Sequence, residues 1–418
     1  MGAQALAGVD SSYSVEMFRA RETLVTEPPD HGLSGCVIVP VRDEEELLPS
    51  ALRALAEQKT LSGCALPHDC YEVILLINNT TDRSRQVAES FQRLYPTFRL
   101  HIAERTFGKS DAHVGRARRL LMDEACRRLE AVERPDAAIL STDADSQVAP
   151  NWIAQNQNEL LHGAEAVGGR VVIPSYEEDV LDPAVCELYR FDNLYRRLVG
   201  WLEDRFDPES HDPWPRHHHH FGASLAVTAR VYKAVGRLPP RRHLEDLAFY
   251  AALMRQDVRL RHSNRVRVFT SARLAGRARF GLSTRLNNWT KHRKSALRMP
   301  VECATFLEQL FTARRQLRLL WKKFRNEKQA PAEEVRELPR KTGMNLSRLE
   351  AQTRKARFFG ALLEDVKFYE VFRNSVPDSV RLAPLRYTAE ELLEMFKDQA
   401  FRRPATVSLQ KATRRLSM

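Results

Sequence analysis

Asp143 and Asp145 place two carboxylates one residue apart, directly after the short apolar run 137–140. An apolar run of this length is typical of a buried strand, so both carboxylates leave its carboxyl end. Ligands of an open parallel sheet bind outside the carboxyl ends of its strands. Two carboxylates with no obvious basic partner suit Mg²⁺ or Mn²⁺, and such a metal would bind a diphosphate. A solvated acidic loop is the alternative interpretation of this pair alone.

Two earlier apolar runs end in polar clusters in the same way. Residues 36–41 lead to Glu44, and residues 71–77 lead to Asn78 and Asn79. A segment with helical spacing follows each run, and this βαβα order predicts an α/β fold with a doubly wound, mostly parallel sheet. The three polar clusters are therefore expected at one edge of that sheet.

With these loops the chain resembles the family 2 glycosyltransferases of the GT-A fold, which carry V-P-x-x-N-E-E-like, D-N-x-S-T-D-like and D-A-D loops. The resemblance extends from about Gly35 to about Gly281. Its most specific late element is the pair Glu245-Asp246 before a helical pattern, since that family has a Glu-Asp pair opening a helix. Acidic residues also stabilise a helix N-terminus through the helix dipole, so simple capping is the alternative.

The resemblance implies an inverting glycosyltransferase that moves a sugar from a nucleotide-diphosphate sugar to an acceptor hydroxyl. It implies that Asp246, with Glu245 beside it, is the catalytic base. It also implies that Asp145, supported by Asp143, holds Mg²⁺ or Mn²⁺. Further donor contacts are expected from Pro40, Glu44, Asn78, Asn79 and Arg118, and diphosphate contacts from Arg273 and Arg277. An orienting role on the Asp143 loop and a plain surface position are the alternatives for Arg118.

The chain departs from the family pattern in two loops. Arg42 and Asp43 stand where the family commonly has an aromatic residue and Asn. In the second loop Ile77 or Asn78 replaces an aspartate, so the contact to the base changes from carboxylate to amide. UDP and GDP both remain possible as the donor nucleotide.

Four consecutive histidines, 217–220, precede a segment that corresponds to a family strand, with Ser224 in place of Asn. Alternation along an extended segment would turn His218 and His220 to one face. His218, His220 and Ser224 are therefore candidates for the acceptor site. Metal binding by one histidine pair, and a histidine-rich loop without such a role, are the alternatives.

The 418 residues suit one large α/β domain with a helical extension. We expect an irregular lead-in over 1–34, a GT-A-like domain over 35–282 and a basic helical extension over 283–418. Residues 271–418 carry about +17 of formal charge, whereas the rest carries about −6. Such a segment favours phosphate ligands or an anionic membrane surface. The alternative is that basic residues merely cover exposed helix faces, as in Arg314, Arg315, Arg318, Lys322, Lys323 and Arg325.

The composition narrows the function classes further. No stretch approaches the roughly 20 apolar residues of a membrane helix, and six scattered cysteines suit a reduced cytoplasmic setting, with peripheral membrane contact possible. No Gly-x-Gly-x-x-Gly follows the first strand, which argues against a dinucleotide dehydrogenase. The remaining alternative is a noncatalytic GT-A-like scaffold that binds a partner or an anionic surface through its basic helices. No nucleic-acid partner is expected.

Overall fold

The computed structural model describes residues 23–174, 177, 181–273, 281–292, 296–327 and 346–402. Strands and helices alternate through the first part of the chain: β1 (Gly35–Val41), α1 (Leu48–Ala56), β2 (Tyr71–Asn78), α2 (Ser84–Leu94), β3 (Leu100–Arg105), α3 (Val114–Ala131), β4 (Ala138–Ser141), β5 (Ser146–Val148), α4 (Trp152–Leu161) and β6 (Ala166–Val172). The later elements are α5 (Pro183–Phe206), β7 (Leu225–Thr228), α6 (Ala229–Ala234), α7 (Glu245–Arg255), β8 (Leu260–Thr270), α8 (Leu282–Lys291), β9 (Pro300–Glu302), α9 (Ala304–Glu327), α10 (Leu346–Lys355), α11 (Phe359–Asp365), α12 (Phe368–Asn374), α13 (Asp378–Arg381), β10 (Leu382–Pro384) and α14 (Leu385–Arg402).

Within the described residues, β1 to β8 form one sheet in the order β3-β2-β1-β4-β7-β6-β8-β5. The pairs β1–β2, β1–β4, β2–β3 and β6–β8 are parallel, whereas β4–β7, β6–β7 and β5–β8 are antiparallel. The predicted fold class, an α/β protein with a mostly parallel sheet and C-terminal helices, is confirmed. The parallel pairs bring the ends of β1, β2 and β4 to one edge.

Both faces of the sheet are covered, as the doubly wound prediction requires. Successive residues of β1 enter different cores, because side chains alternate across a strand. Val37 and Val39 pack with α1, α2 and α4 on one face. Cys36 and Ile38 pack with α3, α6 and α7 on the other face. Strands buried on both faces read as continuous apolar runs, which explains why these strands were predictable.

The histidine tract does not form the predicted strand. Residues 217–221 have no regular secondary structure, residues 222–224 form a single helical turn, and β7 begins only at Leu225. The backbone N–H of His219 donates to Nδ1 of His217 at 2.9 Å, a local bond that replaces a strand ladder. The predicted alternation of the histidines between two faces is therefore wrong.

The C-terminal helices share a core with α5. Trp201 and Leu202 of α5 pack with residues of α9, α11, α12 and α14, among them Phe306, Phe359 and Leu385. The predicted division at residues 34 and 282 stays a prediction, but this apolar core joins the C-terminal segment to the body of the protein. In the part of the chain that the structure describes, no helix combines the length and apolar character needed to cross a membrane.

Part of the C-terminal positive charge is used inside this interface. Arg314 is only 7% exposed and pairs with Glu203 and Asp207. Arg318 pairs with Asp207 at 3.0 Å and with Glu209 at 2.6 Å. The interpretation of Arg314 and Arg318 as covers of exposed helix faces is therefore wrong, because these side chains dock α9 on the acidic end of α5.

A buried ion pair lies beneath the sheet, away from the polar edge. Both Glu72 and Arg128 are 1% exposed, and Arg128 donates two hydrogen bonds of 2.6 Å to the Glu72 carboxylate. Burial alone would raise the pKa of Glu72. Hydrogen bonds from Arg128, His101 and Cys36 outweigh burial and lower that pKa to about 2. The ionised pair therefore stabilises the fold above the ordinary carboxyl pKa and loses this effect as the pH falls toward 2.

We predict that Arg128→Met lowers the free energy of unfolding by about 3–5 kcal/mol, because Glu72 is left as an unpaired buried charge. Denaturant unfolding at neutral pH measures this change. The control is Arg85→Met, which removes an exposed arginine paired with Glu89 and Glu104 and should change stability little. Equal effects of the two substitutions would contradict the assignment.

Candidate active site

The ends of β1, β2 and β4 open into a cleft of about 3070 Å³. Pro40 and Glu44 line it from the first loop, and Asn78 lines it from the second. Asp143 and Asp145 line it from the third. The structure therefore brings the three predicted polar clusters together, as expected from parallel strands that end at one edge.

The first two loops hold each other through hydrogen bonds. The Asp43 carboxylate accepts from the backbone N–H of Thr81 at 2.7 Å, and the Asp82 carboxylate accepts from the backbone N–H of Glu45 at 2.9 Å. The backbone N–H of Glu44 donates to the hydroxyl of Ser84 at 2.8 Å. Asp43, one of the residues that depart from the family pattern, thus helps to fix the loop that carries Glu44.

The two asparagines of the second loop have different surroundings. Asn78 is buried at the floor of the cleft. Asn79 instead pairs twice with the backbone of Phe107, donating to its carbonyl at 2.9 Å and accepting from its N–H at 3.1 Å. Both polar groups of the Asn79 amide are therefore engaged in holding the next loop, and we no longer place Asn79 among the donor contacts.

Arg118 joins the third loop to the start of α7. Its buried guanidinium donates to Asp143 at 2.6 Å and also pairs with Glu245. The guanidinium lies directly against Gly222, where an added Cβ would overlap it. The surface alternative for Arg118 is thus wrong, and the orienting role on the Asp143 loop agrees with its contacts.

The aspartates do have countercharges, contrary to the expectation from sequence. Arg273 pairs with Asp145 and, at 3.3 Å, with Glu44, so it links the first and third loops. Together with Arg118 it neutralises the two aspartates in the structure. Arg277, the other diphosphate candidate, lies outside the described residues.

Glu245 and Asp246 open α7 but face different partners. Glu245 is buried against Arg118, whereas Asp246 is partly exposed on the cleft. The Asp246 carboxylate accepts from the N–H of Gly222 at 3.2 Å and from that of Leu247 at 2.8 Å. These two bonds fix the carboxylate, and its remaining lone pairs are available to a ligand.

The histidine tract forms one wall of the same cleft. His220 stacks on Tyr250 with ring centroids 3.9 Å apart, and His219 accepts a hydrogen bond from the backbone N–H of Val171 at 2.9 Å. Burial lowers the pKa of all four histidines, that of His220 to about 3, so these rings are neutral near pH 7. His218 and His220 remain candidates for acceptor contacts.

Ser224 does not belong with them. Its hydroxyl accepts from Trp152 Nε1 at 3.0 Å in the core, and it packs against Gly169, where an added Cβ would overlap its Oγ. Its exposure is 1%. Ser224 therefore serves the close packing of α4 against β6 and does not make the polar contact that the resemblance suggested. We withdraw Ser224 from the acceptor candidates.

Residues 36–219 match the model of Glycosyl transferase family 2. This segment is a family 2 glycosyltransferase domain. The recognition from sequence and the assignment as a glycosyltransferase enzyme are thereby confirmed, whereas Glu245 and Asp246 lie beyond the matched segment.

Two solved structures are similar to the chain at low identity. Mannosyltransferase PcManGT from Pyrobaculum calidifontis, in complex with GDP-Man and Mn²⁺, has 15% identity and a TM-score of 0.41 over 96% of this chain and 89% of that chain. S. aureus TarS 1–349 in complex with UDP has 14% identity and a TM-score of 0.39 over 82% of this chain and 92% of that chain. A search of curated proteins finds no match. No donor or acceptor is inferred from likenesses of this strength.

The glycosyltransferase domain contains carboxylates that fit a metal brought by a substrate. Among the described residues, no group of three or more His, Cys, Asp or Glu side chains could hold an ion by itself. Mg²⁺ commonly uses one or two carboxylates together with substrate phosphates rather than an all-protein cage. Asp143 and Asp145 on the cleft have this composition, and the structure gives no support for a metal site in the histidine tract.

The sequence singled out no individual residue of α5, although the segment that contains this helix corresponds to the family's acceptor surface. The wall of the cleft includes Asp192 and Arg196 from α5 and Arg285 from α8. Asp192 and Arg196 have the i,i+4 spacing that places two side chains on the same face of a helix. This spacing was the feature of the sequence that could have identified the pair.

The electrostatics of Glu245 give a pH-dependent prediction. Burial raises its pKa to about 7, with Asp246 and Asp143 acting in the same direction and Arg118 opposing them. The folded protein therefore holds a proton that the unfolded chain has released, and wild-type stability falls as the pH rises from about 4.5 to 7.

We predict that Glu245→Gln gains stability relative to wild type across that pH range, because its amide does not titrate. Thermal unfolding at half-unit pH steps measures the difference. Glu72→Gln is the matched control, since its difference from wild type should change only below about pH 4.5. A difference for Glu245→Gln that is constant from pH 4.5 to 7.5 would contradict the raised pKa.

Proposed function

We propose that this glycosyltransferase moves a sugar from a nucleoside diphosphate sugar to an acceptor hydroxyl with inversion of the anomeric configuration. The observation that carries the proposal is the contact of Arg118 with both Asp143 and Glu245. It places the loop after β4 beside the first turn of α7, so that a diphosphate site and the base Asp246 share one cleft. Transfer in a single step needs these two groups on opposite sides of the anomeric carbon.

The first two loops supply the proposed nucleotide contacts. Pro40 and Glu44 border the cleft, and the buried Asn78 offers an amide in place of a family carboxylate. An amide both donates and accepts hydrogen bonds, so it can pair with a uracil or a guanine edge. UDP and GDP donors both fit this contact.

Asp145, supported by Asp143, is the proposed holder of Mg²⁺ or Mn²⁺. When bound, a divalent ion supplies Lewis-acid stabilisation of the leaving diphosphate. Donor binding would release Arg273 from Asp145 and Glu44. A guanidinium that gives up a carboxylate can form equivalent charge-assisted bonds with phosphate oxygens, which suits the predicted role of Arg273 at the diphosphate.

Asp246 is the proposed base. Its carboxylate, held by the N–H groups of Gly222 and Leu247, would accept the proton of the acceptor hydroxyl as the oxygen attacks the anomeric carbon. The diphosphate leaves from the opposite face, so one displacement inverts the configuration. Glu245 is committed to Arg118 and acts by positioning.

Peripheral contact with an anionic membrane stays a separate proposal. It rests on exposed residues of the C-terminal segment: Arg325, Lys355, Arg357, Lys367 and Arg386. Each basic residue near an acidic surface adds about 1 kcal/mol, and the attraction weakens with salt. Equal co-sedimentation with neutral and acidic vesicles at low salt would remove this proposal.

We predict that a nucleoside diphosphate raises the unfolding midpoint only in the presence of Mg²⁺ or Mn²⁺, because the metal replaces Arg273 as countercharge of Asp145. Asp145→Asn should abolish this coupling between nucleotide and metal. A thermal-shift panel with UDP and GDP, each with metal and with chelator, measures it. Equal stabilisation with and without metal would refute the metal assignment.

We also predict that Asp246→Asn lowers kcat by about 10² or more while donor affinity persists, because shape is kept and the proton acceptor is lost. Nucleotide-sugar hydrolysis and donor titration measure the two quantities. Glu245→Gln is the matched comparison and should affect the chemical step less. Wild-type turnover by Asp246→Asn would require another base.

A further inference from the structure

Two arginines on the cleft wall share a single carboxylate. Asp192 Oδ2 accepts from Arg196 Nε at 2.9 Å and also pairs with Arg285. The Asp192 side chain is 3% exposed, whereas those of Arg196 and Arg285 are 14% and 24% exposed. Asp192 is therefore less accessible than the two guanidinium groups, and both arginines line the cleft.

This cluster carries an excess of positive charge. Each guanidinium has five N–H donors, and one carboxylate oxygen takes only one from each. Burial lowers the pKa of Arg285, and the nearby charge of Arg196 lowers it further, while Asp192 acts in the opposite direction. Among the described residues, the two arginines share Asp192 as their only ion-pair partner, and an anionic ligand would supply a second countercharge.

His218 adds an unused polar group to the same place. Its Nδ1 is buried and has no hydrogen-bond partner among the described residues. His218 lines the same cleft as Arg196 and Arg285. Buried polar atoms are nearly always paired in folded proteins, and an unpaired one at a ligand cleft points to a group that the ligand supplies.

We propose that Arg196, Arg285 and His218 bind a phosphate or carboxylate group of the acceptor. The inference rests on the proposed function and names the chemical class of its acceptor. The diphosphate of the donor already has Arg273 and the aspartates of the third loop, so this second cationic cluster suits the other substrate. Two planar guanidinium forks match the oxygens of a phosphate or a carboxylate.

Chain connectivity limits the distance from this anion site to the base. His218 is four residues before Gly222, whose N–H holds the Asp246 carboxylate. Even a fully extended chain spans at most about 3.6 Å per residue, so the two Cα atoms lie within about 14 Å. An acceptor no longer than about this distance can therefore place its anionic group on the cluster and a hydroxyl at Asp246.

The test titrates the full-length protein with inorganic phosphate and, separately, with acetate, each against chloride at equal ionic strength and without nucleotide. Dissociation constants come from calorimetry and from the shift of the unfolding midpoint. We expect at least one of the two anions to bind the wild type. Arg196→Gln and Arg285→Gln should each weaken binding about tenfold or more, since each removes a charged hydrogen-bond donor.

The control variant is Arg85→Gln, which removes one exposed arginine away from the cleft and should bind the anion as the wild type does. Stabilisation by nucleoside diphosphate with Mg²⁺ should persist in Arg196→Gln and Arg285→Gln, which shows that the donor side is folded. If a glutamine variant fails to unfold cooperatively, the lysine variant at the same position, Arg196→Lys or Arg285→Lys, replaces it. The lysine variants should also bind the anion more weakly than the wild type, because lysine lacks the planar guanidinium fork.

Each outcome decides the proposal. Equal anion affinity in all variants, or no effect beyond that of chloride on the wild type, overturns it. Preference for phosphate or for acetate identifies the acceptor group. Because the titration contains no nucleotide, loss of metal-dependent nucleotide binding would refute the donor proposal without affecting this result.

Discussion

The site depends on the buried guanidinium of Arg118. Asp143, Glu245 and Asp246 come from two distant parts of the chain, and three carboxylates gathered in a partly buried cleft repel one another. Arg118 contacts the first two directly and keeps them together. Leaving buried carboxylates without this partner would cost several kcal/mol, so the geometry of both proposed half-sites requires it.

The neighbouring backbone is shaped around that side chain. Gly222 has no room for a Cβ beside the Arg118 guanidinium. Gly115, one turn before Arg118 on α3, likewise has no room for a Cβ, because it lies against the backbone of Arg241. Helix α3 therefore approaches both the histidine tract and the segment before α7. The N–H of Gly222 then binds Asp246, so one close approach positions both the countercharge and the base.

Local patterns predicted the sheet edge but not the walls of the cleft. The sequence runs that form β1, β2 and β4 are apolar on both faces of the strand. Polar residues mark their ends, and this signal does not depend on contacts with distant parts of the chain. The contacts of Ser224 with Trp152 and of Asn79 with Phe107 could not be predicted, because these partners are far away in sequence. Arg273 beside Asp145 was missed for the same reason, since no local pattern predicts an ion pair across 128 residues.

Inversion of the anomeric configuration can be tested directly by a single measurement. A panel of UDP- and GDP-sugars is incubated with the protein and Mg²⁺ or Mn²⁺, and the anomeric signals of the first released sugar are followed by proton NMR before mutarotation equilibrates them. Single displacement predicts that the new sugar first appears with the configuration opposite to that of its donor. Release with the donor's own configuration would contradict the proposed arrangement of Asp246 and the diphosphate site.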